Sequence, residues 1–76
     1  TTIEFDLPVT DTITMNILDI RGRKVRTLID REQLFGYQAI MWDAKDDDGE
    51  NVSSGVYFYQ IKSRNFNEVG KLVFVK

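Results

Sequence analysis

Apolar and polar residues alternate with a period of two along most of the chain, the signature of strands with one buried face. Ile3, Phe5 and Leu7 alternate with Thr2, Glu4 and Asp6. Pro8 has no N–H to give a ladder and is expected to end this first strand. Ile13, Met15 and Ile17 alternate with Thr14 and Asn16 in a second strand. The apolar positions then shift to Leu18 and Ile20, which predicts a bulge or a strand end buried on both faces. Arg21-Gly22-Arg23 offers the positive φ of a tight hairpin. Val25, Leu28 and Ile29 carry a third strand, and Gln33 to Gly36 reads as a loop that sets Leu34 and Phe35 on the core rim.

Tyr37 to Asp43 is predicted as a fourth strand, with Ile40 and Trp42 on one face and Ala39 and Met41 on the other. Val52 marks a very short fifth element. The strongest strand runs from Gly55 to Ser63, with Tyr57, Tyr59 and Ile61 on one face and Val56 and Phe58 on the other. Arg64 to Asn67 makes the last turn, and Val69 to Val75 closes the fold with apolar residues on both faces. No window is helical beyond a single turn around Asp30 to Phe35. Six or seven short strands, with turn signals about 8–12 residues apart, predict an all-β sandwich.

Seventy-six residues make a single domain, 1–76, with no cysteine and no histidine. A disulfide and a Cys/His zinc site are therefore ruled out, and the fold rests on one apolar core. No Ser-His-Asp or Cys-His arrangement can be assembled and no imidazole base exists, so the chain is expected to be non-catalytic and to carry no cofactor. No apolar run approaches the length of a membrane-spanning helix, so membrane insertion is not expected.

The net charge of −2 argues against nucleic acid as a partner. The charge is nonetheless uneven. Residues 21–31 set Arg21, Arg23, Lys24, Arg26 and Arg31 against Asp30, whereas residues 43–50 set Asp43, Asp46, Asp47, Asp48 and Glu50 against Lys45. Two solvated segments that keep the domain soluble explain this; a dipolar surface that orients the domain against a partner is the sharper reading. An EF-hand frame with Gly49 at its sixth position fails at Ala44 and at Gly55, so no metal is assigned. The Asp side chains are instead expected to accept backbone N–H groups within the turn. Tyr37, Trp42, Tyr57, Tyr59 and Phe66 invite a sugar-stacking surface, but alternation places Trp42 in the core and the Tyr57 and Tyr59 rings beside it.

The opening Thr1 to Pro8, the hairpin Asp19 to Val25, the block Trp42 to Tyr59 and the ending Lys71 to Lys76 occur in a distinctive order. In that order they resemble the C-terminal sorting domain of type IX secretion cargo and, equally, the FlgD-like immunoglobulin domain. The resemblance implies an immunoglobulin-like sandwich of about seven short antiparallel strands, attached to an upstream domain of a larger secreted or cell-surface bacterial protein. It implies a module that sorts or anchors that protein, delivered through the periplasm and read by the outer-membrane translocation machinery. The residues it singles out are Gly22 and Val25, Gly55 and Tyr57, and the basic positions Lys71 and Lys76. The alternatives it leaves are an accessory structural or carbohydrate-binding module on a hydrolase and a flagellar hook-capping scaffold. The absence of an initiator Met before Thr1-Thr2-Ile3 fits a piece of a longer chain.

Overall fold

The computed structural model describes residues 1–76. Four strands, β1 (Thr2–Leu18), β2 (Lys24–Met41), β3 (Gly55–Lys62) and β4 (Asn67–Phe74), form one antiparallel sheet in the order β2-β1-β3-β4. The chain is all-β, as the alternation predicts. About seven separate strands were expected, in a two-sheet sandwich. Here the first and second expected strands are the two halves of β1, and the third and fourth, with the Gln33 to Gly36 segment between them, are one β2. The Val52 element reduces to an isolated bridge between Lys45 and Asn51.

Length explains how so few strands enclose a core. Seventeen residues of β1, at about 3.3 Å each, would run about 55 Å if straight. The longest dimension of the molecule is 35 Å, so the β1–β2 hairpin must bend. Its largest register break lies where Leu7 pairs with Gly36 and the next partner pair is Asp11 with Leu34. Pro8 sits in this gap. It interrupts the ladder as expected but does not end the strand, because its fixed φ suits extended backbone. Residues from both halves of β1 meet in one buried cluster: Ile3 and Leu7 join Ile13, Met15 and Ile17, with Ile29, Trp42, Tyr57 and Ile61. Within β2 the alternation continues through the expected loop, so Leu34 packs on the core whereas Phe35 faces solvent.

The β1–β2 turn is organised by Asp19. Its carboxylate Oδ1 accepts the N–H groups of Arg21 and Arg23, both at 2.9 Å, and Oδ2 takes Arg23 Nε at 3.1 Å. Gly22 adopts φ of 83° and donates its N–H to the Asp19 carbonyl. The predicted phase change is a bulge, a register shift between Ile17 and Leu18, and Ile20 is exposed.

Trp42 follows β2 directly and is the central aromatic of the core, only 2% exposed. Its ring meets Tyr57 edge-on at 5.3 Å and Phe74 at 6.3 Å. The indole N–H donates to the Lys45 carbonyl at 2.9 Å, and the backbone N–H donates to the Thr1 carbonyl at 2.8 Å.

Replacing Trp42 by Ala is expected to cost about 3–5 kcal/mol, against a total of about 4–11 kcal/mol for a chain of this length. Urea denaturation of Trp42→Ala should show a lost or barely cooperative transition, while Trp42→Phe should keep the transition at a lower midpoint. A second expectation concerns acid. Hydrogen bonds from the Arg23 and Arg21 N–H groups hold the Asp19 carboxyl below its ordinary range against a smaller opposing effect of desolvation. A depressed carboxyl stabilises the fold above its unfolded pKa, and that contribution fades as pH falls through the folded value. Stability should therefore decline below about pH 4, and Asp19→Asn should flatten this acid limb in thermal melts taken between pH 2 and about pH 7.

Candidate functional site

Of the residues singled out by resemblance, Val25 and Tyr57 line one cleft with Asp19 and Arg23 of the β1–β2 turn, whereas Lys71 and Lys76 lie outside it. Gly22 makes the β1–β2 turn, and Val25, at the start of β2, packs half-buried on the core. Gly55 opens β3. Tyr57 is buried beside Trp42, and its hydroxyl donates to the Ser53 carbonyl at 2.7 Å. These four have structural work in the fold. Lys71 and Lys76 lie on and just after β4 with exposed side chains. The aromatics divide the same way: Trp42 and Tyr57 are core, Tyr59 and Phe66 pack against it, and Tyr37 alone is largely exposed, with its hydroxyl donating to the Glu4 carboxylate. Trp42 and Tyr57 therefore offer no ring to a sugar.

The two oppositely charged segments, predicted as separate surfaces, fold onto each other. The loop after Trp42 runs along the outer edge of β2. Asp47 donates its backbone N–H to the Val25 carbonyl at 3.0 Å, and its carboxylate Oδ1 accepts the Thr27 N–H at 2.9 Å. One residue thus satisfies β2 much as a neighbouring strand would. Arg26 Nη1 reaches Asp43 Oδ1 at 3.0 Å and the Lys45 carbonyl at 3.1 Å, and Lys24 Nζ lies 3.9 Å from Asp47 Oδ2. The remaining turn chemistry matches expectation: Asp46 Oδ1 accepts the N–H groups of Asp48 and Glu50 at 3.0 and 2.9 Å. Asp43, Asp46 and Asp47 each face a different donor, and no three acidic side chains converge as a metal site would require.

The opposite edge of the sheet is open. β4 pairs with β3 alone. Leu72 and Phe74 turn inward onto the core, while Val69, Val73 and Val75 are 57%, 62% and 77% exposed. The final strand is thus apolar on both faces, as its sequence predicts, but only one face is buried. Across the ladder, Lys71 stands opposite Phe58 and Val73 opposite Val56. At Gly70 the ring of its cross-strand partner Tyr59 lies where a Cβ would sit, so a larger residue there would have to displace that ring. A glycine inside a strand was the available signal for this close approach. The edge-sealing role of Asp47 had no comparable signal, because its partners lie about twenty residues away in β2.

Asp47→Ala should reopen the β2 edge at a cost of about 1 kcal/mol, since the bond is charged but exposed. Hydrogen exchange at the Thr27 amide should accelerate. Asp48→Ala, whose carboxylate holds no backbone N–H, should leave that amide unchanged.

A family model described as the FlgD Ig-like domain matches residues 1–66, which span β1, β2, β3 and the turn that follows. No curated protein and no solved structure matches the chain. With most of its length covered by that one model, the chain belongs to the FlgD Ig-like domain family.

Proposed function

We propose that this domain is a non-catalytic module that sorts or anchors a larger secreted or cell-surface bacterial protein, and that it is engaged through the free edge of β4. The observation that carries this reading is the asymmetry of the sheet. Asp47 caps the start of the β2 edge at Val25 and Thr27, whereas β4 pairs with β3 alone and has no strand or loop on its other side. Such an edge is a template for an added strand, and in isolation it is an aggregation hazard that natural domains usually blunt. Here Lys71 and Glu68 supply charge, but Val69, Val73 and Val75 keep the adjoining face apolar.

In its finer form the partner is the outer-membrane machinery of type IX secretion, met in the periplasm. The order of Gly22, Val25, Gly55 and Tyr57, ending in the basic strand from Lys71 to Lys76, supports it by resemblance. A flagellar hook-capping scaffold is the second reading, favoured by the family match itself. There the same edge would join a neighbouring scaffold subunit.

Fusion of residues 1–76 to a signal-bearing reporter in a bacterium with type IX secretion separates the two. Export is expected, and Val69→Asp with Val73→Asp should abolish it while leaving the melting temperature within a few degrees, because both side chains face solvent. A reporter retained in the periplasm, while a known cargo domain is exported, would rule out sorting. Incorporation of the same domain into hook caps would establish the scaffold reading instead.

A further inference from the structure

Three irregularities of the backbone converge at the bend of the hairpin. β1 loses its β2 partners between Leu7 and Asp11, and the register shifts again between Ile13 and Met15. Opposite that second shift, Arg31 adopts φ of 50°, a left-handed conformation that a long side chain rarely takes, and donates its N–H to Thr14 Oγ1 at 3.3 Å. The β3–β4 turn closes the third side, with the Ser63 hydroxyl accepting the N–H groups of Asn65 and Phe66. Between them lies an open cleft of about 760 Å³ whose lining contains no hydrophobic residue. That volume falls within the range of about 300–1,000 Å³ common for small-ligand sites, which are normally mostly apolar. This one is built from hydroxyls, amides and charge.

Its charge has the opposite sign to the domain. Arg31, Lys62 and Arg64 line the cleft against a single carboxylate, Asp11, in a chain whose net charge is −2. Asp11 is already committed. Its oxygens accept the Thr12 N–H at 2.8 Å and the Asn65 side-chain amide at 3.2 Å, so it ties the turn to β1. Lys62 and Arg64 form no ion pair, and Arg31 has only a highly exposed contact with the adjacent Asp30. Thr12 and Thr14 add hydroxyls two residues apart, on the face of β1 opposite the buried Ile13 and Met15.

We infer that this cleft binds an acidic saccharide, a chain bearing carboxylate or sulfate groups along with free hydroxyls. Lys62 and Arg64 meet the anion, Arg31 flanks it, and the threonine hydroxyls exchange hydrogen bonds with the sugar. A lone tetrahedral anion would fill little of the volume. An acidic peptide would bring its anions without the hydroxyls that Thr12 and Thr14 can meet, and a neutral sugar would leave two cations unused. The site is independent of the β4 edge and of any aromatic platform.

The test titrates the purified 76-residue chain with oligogalacturonate and follows backbone amide shifts by NMR. Shifts are expected at Thr12, Thr14, Arg31 and the Lys62 to Asn65 turn, and neutral oligogalactose should give none. The Lys62→Gln/Arg64→Gln pair should weaken binding about tenfold. Arg21→Gln/Lys45→Gln, which removes the same charge elsewhere, should leave it within about twofold. Circular dichroism melts of both double variants establish that they fold. No shifts at the cleft, or equal losses in the two double variants, would overturn the site. Inorganic phosphate or oligoglutamate bound as tightly as the oligogalacturonate would overturn the saccharide as its ligand.

Discussion

Everything in this fold hangs on one indole. Trp42 sits where β2 ends and the chain must turn away. It touches the β3 aromatic Tyr57 and the β4 aromatic Phe74, bonds the first residue through its backbone, and holds the following loop through Lys45. A chain without cysteine or histidine has few ways to tie both ends and a long loop to one core. A large ring with a single polar atom does all of this at once, because its faces bury apolar area while its N–H fixes the loop's direction. The loop's direction then decides where Asp47 falls.

The treatment of the sheet edges follows from that placement. The outer strands β2 and β4 each have a free edge, and so does the N-terminal half of β1, which pairs with β2 alone; such edges expose backbone groups that another chain can pair with. On β2 the Trp42-anchored loop delivers Asp47, which supplies both an N–H and a carboxylate to residues 25 and 27. The flanking ion pairs are exposed and contribute little stability individually. Their greater effect is on orientation: opposite charges on the loop and on β2 favour this docking over others. β4 has no such cover. Leu72 and Phe74 hold it to the core, and its outer edge is open.

Strand identity was legible in the sequence because period-two alternation reports burial directly, as with Ile13, Met15 and Ile17. The number of strands was not. Pro8 signals a break in hydrogen bonding, and in one dimension that looks the same as a strand end. Only the bend, with Ile3 and Leu7 returning onto the same core as Ile13, shows that the backbone stays extended through it. The Gln33 to Gly36 segment misleads for a similar reason: its polar residues and glycine lie at the hairpin bend, where β2 is solvated and Gly36 takes φ of 79° but still pairs with Leu7. The charge segments were visible as composition, but their mutual docking depends on the loop's path. The basic cleft was least legible of all. Arg31, Lys62 and Arg64 lie in different elements, and the property that makes Arg31 distinctive is a backbone angle.

Recognition by strand addition has a consequence for where specificity must reside. Main-chain hydrogen bonds give affinity to almost any extended segment, so discrimination falls to side chains beside the edge. On β4 those are Val69, Lys71 and Val73, and the neighbouring Phe58 and Val56 extend the same face. The family match ends at residue 66, one residue before β4 begins. The matched part of the chain holds all nine buried core residues, the loop docked on β2 and the strand on which β4 rests, while Leu72 and Phe74 beyond it pack onto that core. The exposed face beside the edge is shared between the two parts, Val56 and Phe58 on β3 and Val69, Lys71 and Val73 on β4. Changing Val69, Lys71 or Val73 would alter the exposed face without touching the Trp42 core.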